Sequence, residues 1–171
     1  MAATAEEMDD LELYTYDGYR LYRYRSPTPA SSDYAETLST AQVVDMLRAE
    51  RPPLLIDVQP LTWNRVFIQQ EPRRHIPGSV WLPNVGRGEL DEDWEHYFSS
   101  HLERLTEGNR QREIIIYCRA DCWMSWNAVK RASGWGYNRL YWYRDGSDGW
   151  IENDQKTVQA EPLPFSETQD E

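Results

Sequence analysis

The stretch Glu113-Ile-Ile-Ile-Tyr117, running straight into Cys118-Arg-Ala-Asp-Cys122-Trp-Met-Ser125, constrains this chain more than any other. A run of β-branched residues with an aromatic lacks the polar alternation of a half-exposed strand, so it reads as a parallel strand covered on both faces. Trp126-Asn-Ala-Val-Lys-Arg-Ala-Ser133 has helix-forming composition and stops at Gly134 and Gly136, which makes the order strand, tight loop, helix. The chain's two cysteines both fall in that one loop. Unpaired backbone N–H groups and the positive end of the helix dipole meet at such a junction, where they stabilise an anion and lower a thiol's pKa. Cys118, at the strand end, is therefore the candidate nucleophile and the lower-pKa thiol. Cys122, beside Trp123 and next to Asp121, is expected to stay neutral longer. The bland alternative makes both cysteines small buried apolar residues; it leaves their clustering unexplained.

The rest of the chain supplies a frame for this loop. Ser39 and Gln42 match a capping box, from which a helix should run to about Glu50, turning Val43, Val44 and Leu47 inward before Arg51-Pro-Pro53 ends it. Leu54-Leu-Ile-Asp57-Val58 reads as a second buried strand ending in a carboxylate, and Val80-Trp-Leu82 as a third, entered through His75-Ile-Pro-Gly78. Trp94, Phe98, Leu102 and Leu105 recur at helical spacing with Glu92, Glu95, His96 and Glu103 elsewhere, the pattern of an amphipathic surface helix. Asn138 to Tyr143 reads as another strand, and Arg144-Asp-Gly-Ser-Asp-Gly149-Trp150 as a loop. Strands alternating with helices predict an α/β fold with a parallel sheet whose ligands bind at the carboxyl ends of the strands, where Asp57 and Cys118 fall.

Upstream, residues 1–10 read as disordered, and Asp17-Gly18 between aromatic flanks predicts a two-residue hairpin turn. The Tyr/Arg interleaving of residues 19–24 fits an arm packed across the domain, and Ser26-Pro-Thr-Pro-Ala-Ser-Ser32 has linker composition. The predicted organisation is an N-terminal arm and linker (1–36), one domain (37–164) and an acidic tail (165–171). At 171 residues the chain has room for one well-buried core. A formal net charge of −11 disfavours nucleic acid and anionic membrane surfaces as partners and favours a basic or weakly charged protein. No apolar run approaches the roughly 18 residues needed to cross a bilayer, and no signal peptide is legible, so the chain reads as soluble. A chain stripped of its export signal would read the same way.

Leu55-Ile-Asp-Val58, His75-Ile-Pro-Gly-Ser79, Ile116-Tyr-Cys-Arg119 and Asp145-Gly-Ser-Asp-Gly-Trp150 occur in the order and approximate spacing of a rhodanese-like domain, which the chain resembles from about residue 37 to 164. More narrowly, Leu82-Pro-Asn-Val-Gly86, Asp121-Cys-Trp-Met-Ser-Trp-Asn127 and Tyr141-Trp-Tyr143 look like a bacterial subgroup named for a cysteine-pair-tryptophan (CXXCW) motif and associated with pyrroloquinoline-quinone-dependent alcohol catabolism. The resemblance implies a parallel five-stranded sheet flanked by helices, export to the periplasm, and a quinoprotein dehydrogenase or its cytochrome as possible partner. It also implies that Cys118 takes a sulfane sulfur from a donor as a persulfide, with Arg119, Ala120, Asp121, Trp123, Met124 and Ser125 forming the surrounding cradle. Two departures matter: Asp121 stands where the loop commonly has glycine, and Trp123 and Met124 stand in the region where an arginine often closes it. A carboxylate there repels an anionic donor such as thiosulfate, and the missing fork removes a partner for it; Arg119 partly compensates.

Three functional classes stay open on the sequence. The first is sulfur transfer on Cys118. The second is thiol–disulfide exchange, with Cys118 attacking and Cys122 resolving, since a wrapped loop can bring their Cα atoms within the roughly 4.4–6.8 Å a disulfide needs. The third is a non-enzymatic accessory module. Metal binding ranks last, because His96 and His101 are five apart and do not share a helix face, and no cofactor is expected. His75 is read as ordering its turn, Asp57 as a structural acceptor near the loop, and Trp123 and Trp126 as packing around it.

Overall fold

The computed structural model describes residues 13–165. They run β1 (Glu36–Thr37), α1 (Thr40–Leu47), β2 (Leu54–Asp57), β3 (Thr62–Trp63), β4 (Phe67–Ile68), β5 (Arg74–His75), β6 (Val80–Trp81), α2 (Glu92–Thr106), β7 (Ile114–Tyr117), α3 (Trp123–Gly134), β8 (Leu140–Tyr143), α4 (Gly146–Glu152) and β9 (Val158–Gln159). Five strands form a parallel sheet in the order β1-β8-β7-β2-β6. Burying an isoleucine is worth about 1.5–3 kcal/mol, and the four-residue, largely apolar strands take the centre while two-residue β1 and β6 take the edges. Side chains alternate across the sheet. Ile114 and Ile116 pack with Phe98 and Leu102 of α2 and Ala128, Val129 and Ala132 of α3. Ile115 and Tyr117 pack on the other face with Val43 of α1 and Trp150 of α4. Asp57, Tyr117 and Tyr143 lie in register, so the carboxyl ends of β2, β7 and β8 stand side by side.

Several boundaries differ from the expected ones. The capping box at Ser39 and Gln42 is present, but α1 stops at Leu47, where the Arg48 N–H turns back to the carbonyls of Asp45 and Met46. Helix α3 begins at Trp123, so Trp123, Met124 and Ser125 form its first turn and are not loop. The glycine-rich segment read as a loop is helix α4. Gly146 has φ +59°, and a Cβ on it would collide with the Cys118 carbonyl; the glycine serves close approach to the cysteine loop. Helix α2 is rolled relative to the expected stripe: Tyr97 and His101 are buried beside Phe98 and Leu102. His101 therefore belongs to the interior and not to a surface face.

The N-terminal segment is a docked arm. The turn around Asp17 and Gly18 closes a three-residue loop, with the Thr15 N–H bonded to the Tyr19 carbonyl (2.7 Å), the Gly18 N–H to the Thr15 carbonyl (3.0 Å) and Gly18 at φ +91°. Within the predicted linker, Thr28 is buried and receives two 3.0 Å hydrogen bonds from Arg144. At the other end Phe165, assigned by composition to the acidic tail, packs against Trp63, Trp94 and Tyr97. Residues 1–10 and the tail from 166 onward lie outside the described residues.

Candidate active site: the cysteine loop

The loop from Cys118 to Cys122 is fixed from below by a buried polar chain. Asp57, fully buried at the end of β2, receives Arg73 Nε at 2.6 Å and Nη2 at 3.0 Å and stands 3.0 Å from His75 Nδ1. Arg73 Nη2 also donates to the Ser147 hydroxyl at 3.3 Å. Ser147 in turn donates to the Cys118 carbonyl through its N–H (2.9 Å) and its hydroxyl (3.2 Å). Burial works against the Arg73 charge, but pairing with Asp57 more than offsets it and holds the guanidinium above its ordinary pKa. Asp57 and His75 thus have the structural roles expected of them. Arg73 was missed, because nothing local marks an arginine 16 positions from its carboxylate partner.

From above, the arm pairs with the loop. Arg25 lies opposite Cys122 in an antiparallel bridge, flanked by hydrogen bonds from the Ser26 N–H to the Asp121 carbonyl (2.9 Å) and from the Trp123 N–H to the Tyr24 carbonyl (2.8 Å). The Trp123 indole donates to Ser26 Oγ at 3.1 Å and carries the Arg20 guanidinium 4.5 Å from its ring centroid, with Tyr14 edge-on at 5.9 Å. Buried Asn127 of α3 reads the Arg20 backbone through both its carbonyl and its N–H, at 2.7 and 2.9 Å. Trp123 thus packs, as expected, yet its main partners come from a segment 100 residues away.

Both cysteines are free thiols; Cys118 is 0% exposed and Cys122 5%. Asp121, at φ +53°, turns the loop so that the carbonyls of Cys122 and Arg119 face the Cys118 sulfur at 3.5 and 3.8 Å. Burial pushes the Cys118 thiol well above its ordinary pKa, and the adjoining Cys122 adds to that. Cys122 is lowered to about 7, chiefly by the Cys118 thiol, with the N–H groups of Met124, Arg119 and Ser125 adding against the cost of burial. The N–H groups of Arg119, Met124 and Ser125 thus favour a thiolate at Cys122, while Cys118, which Ser125 also reaches, bears the larger cost of burial and adjoins the carbonyls of Arg119 and Cys122.

The remaining predicted site residues separate into two groups. Arg119 is half-exposed and lies 3.6 Å from Asp148, Ala120 donates its N–H to Asp148 at 3.1 Å, and Asp121 is exposed. Met124 and Ser125 are buried; Ser125 receives the Trp142 indole N–H (2.8 Å) and donates to the Cys122 carbonyl (3.2 Å). A groove of about 360 Å³ runs beside the loop, lined by Gln59, Trp81, Arg73, Arg119, Ser147 and Asp148 among others.

The rhodanese-like domain model matches residues 39–153. The chain belongs to the rhodanese-like domain family. Among solved structures, this rhodanese-like chain is similar to a thiosulfate sulfurtransferase from Pseudomonas aeruginosa, over 75% of its own length and 21% of that chain, at 14% identity and a TM-score of 0.48. It is also similar to the rhodanese-like domain of an Anabaena sp. protein (77% and 80% covered, 19% identity, TM-score 0.47). An EanB variant in complex with ergothioneine is matched over 93% of this chain and 40% of that one, at 16% identity and a TM-score of 0.52. The chain spans about a fifth of the first of these, and at such identities the likeness is one of fold. No curated protein matches the sequence. Among the described residues of this rhodanese-like chain, no helix is long and apolar enough to cross a membrane.

Proposed function

We propose that the protein transfers sulfane sulfur on its cysteine pair, with Cys122 receiving the sulfur and Cys118 resolving. The observation that carries this reading is that the two thiols adjoin within one loop while only Cys122 reaches the surface. The Cys122 thiolate attacks the outer sulfur of a donor such as thiosulfate; the donor's S–S bond breaks, sulfite leaves with the bonding pair, and Cys122 becomes a persulfide. A thiol acceptor then takes the sulfur. Without one, the Cys118 thiol attacks the inner sulfur of the Cys122 persulfide, releasing hydrogen sulfide and leaving a Cys118–Cys122 disulfide. The test is intact mass after incubation with a sulfane donor: one added sulfur per chain supports the reading, and an unchanged mass with every donor tried removes it.

The same adjacency favours thiol–disulfide exchange as the second reading, because a thiolate lowered to about 7 attacks disulfides readily near neutral pH. In that case small disulfides give a mixed adduct and then loss of two hydrogens, with no sulfur added. The CXXCW-type resemblance at residues 121–127 supports a narrower placement: an exported, periplasmic accessory to PQQ-dependent alcohol oxidation, whose partner is a quinoprotein dehydrogenase or its cytochrome. Unimpaired growth on a primary alcohol after deletion of the gene would remove that placement.

Asp121 limits the donor in this reading. Its carboxylate adjoins Cys122 and repels an anion, while its φ of +53° already suits glycine. Asp121→Gly is therefore expected to lower KM for thiosulfate without lowering the thermal midpoint. Initial rates against thiosulfate concentration check this, and an unchanged KM would set the electrostatic argument aside.

A further inference from the structure

The loop's closing residues, Trp123 and Met124, carry no charge, yet an arginine from elsewhere in the chain is paired with Cys122 through the backbone and turns its guanidinium to Asp148. Arg25 is paired with Cys122 in the antiparallel bridge, and the flanking bonds, Ser26 N–H to Asp121 and Trp123 N–H to Tyr24, make it the closely spaced type of pair. Paired residues of that kind share one face, with Cβ atoms about 4.5–5.5 Å apart. The Arg25 guanidinium reaches Asp148 Oδ2 at 3.5 Å, and Arg119 reaches the same oxygen at 3.6 Å; both arginine side chains are about half-exposed. A well-made charge-assisted bond is about 2.7–2.9 Å long. Two arginines thus share one carboxylate at long range, and that oxygen already accepts the Ala120 N–H at 3.1 Å. Each keeps most of its donors for another anion. The exposed Asp121 carboxylate opposes these two cations without offsetting both, so its removal strengthens the hold on an anion.

We infer that Arg25, delivered by the N-terminal arm, forms with Arg119 an anion seat over Cys122 that selects sulfur compounds bearing a small oxyanion head. The seat rests on the sulfur-transfer reading for its substrate but not for its charge. Arg119 holds the seat on the loop side and Arg25 on the arm side, with Asp148 setting the gap between them. The oxyanion head lies across the two guanidiniums, and the outer sulfur points at the Cys122 thiolate. The arm is in this sense a specificity element, since a chain without residue 25 keeps the cysteines and loses half the seat.

The experiment compares alkylation of Cys122 in the full chain by iodoacetate, an anion, and iodoacetamide, a neutral reagent of the same reach, with peptide mapping to separate Cys122 from Cys118. In Arg25→Gln the iodoacetate-to-iodoacetamide rate ratio is expected to fall about three- to tenfold, the size of one unit charge at ~6 Å in a solvent-rich medium. Arg25→Lys, which keeps the charge, restores the ratio. The iodoacetamide rate alone stays near that of the wild type. An unchanged ratio in Arg25→Gln overturns the seat, as does an equal rise in both rates, which would make Arg25 only a strap. Failure of either reagent to reach Cys122 in the wild type overturns it too. If the ratio falls as expected but no donor adds sulfur, the anion seat stands and the sulfur-transfer reading is what fails.

Discussion

Cys122→Ser is expected to abolish the first covalent adduct with sulfane donors and small disulfides, whereas Cys118→Ser forms that adduct and cannot release it as a disulfide. The expectation follows from the surroundings of each sulfur. Cys122 has the N–H groups of Arg119, Met124 and Ser125 and a small opening to solvent; Cys118 is sealed and faces two carbonyl oxygens as well as Ser125. A serine at position 118 still donates a hydrogen bond, so Cys122 remains reactive in that variant. In the wild type the rate of Cys122 alkylation should rise with pH about a midpoint near 7, because a thiol lowered to about 7 is mostly protonated below that pH and mostly thiolate above it. Intact mass and peptide mapping of each variant provide the check. An adduct located on Cys118 in Cys122→Ser would return the nucleophile to the strand end.

The second large effect lies under the loop. Asp57→Asn removes the carboxylate that neutralises Arg73 in a place where neither side chain is more than 11% exposed. Breaking a buried pair from one side costs about 3–5 kcal/mol, since the other charge is left behind. For a chain of this size that corresponds to a fall of roughly 10 °C in thermal midpoint. Because Arg73 also holds Ser147, and Ser147 holds the Cys118 carbonyl, the lesion should slacken the loop as well as the fold. The double variant Asp57→Asn/Arg73→Met should recover part of the lost stability by removing the stranded cation. A calorimetric midpoint within 2 °C (~1 kcal/mol) of the wild type for Asp57→Asn alone would show that the pair contributes little.

Much of this could be read from the residues, and what could not has identifiable physical causes. The buried strands, the capping box at Ser39 and Gln42, and the placement of Asp57 and Cys118 at neighbouring strand ends all follow from local composition and alternation. The start of α3 does not. Its N-cap, Cys122, makes no side-chain capping bond; the first helical N–H is satisfied by the carbonyl of Tyr24, a partner no local window contains. The glycines of residues 146–149 look like loop signals, but Gly146 is needed so that Ser147 can reach the Cys118 carbonyl. The surroundings of the two thiols were not legible, because both cysteines lie near the helix N-terminus in sequence. Which sulfur meets N–H groups and which meets carbonyls is decided by the left-handed turn at Asp121, a backbone choice that an aspartate does not announce.

The pairing of Tyr24 to Ser26 with Asp121 to Trp123 has a consequence for how the protein is made. It joins positions about 100 apart, and closing a loop of that length costs on the order of 4 kcal/mol in chain entropy before any contact repays it. The arm is synthesised before the cysteine loop, and has nothing to pair with until that loop, and Arg144 beyond it, have followed. Docking of the arm is thus a late event in folding. Without the arm the Trp123 indole would lose the Ser26 hydroxyl and the Arg20 guanidinium, and Cys122 its bridge partner. The arm therefore closes the cysteine loop from a distance in sequence, and the finished site exists only once both ends of that long loop have met.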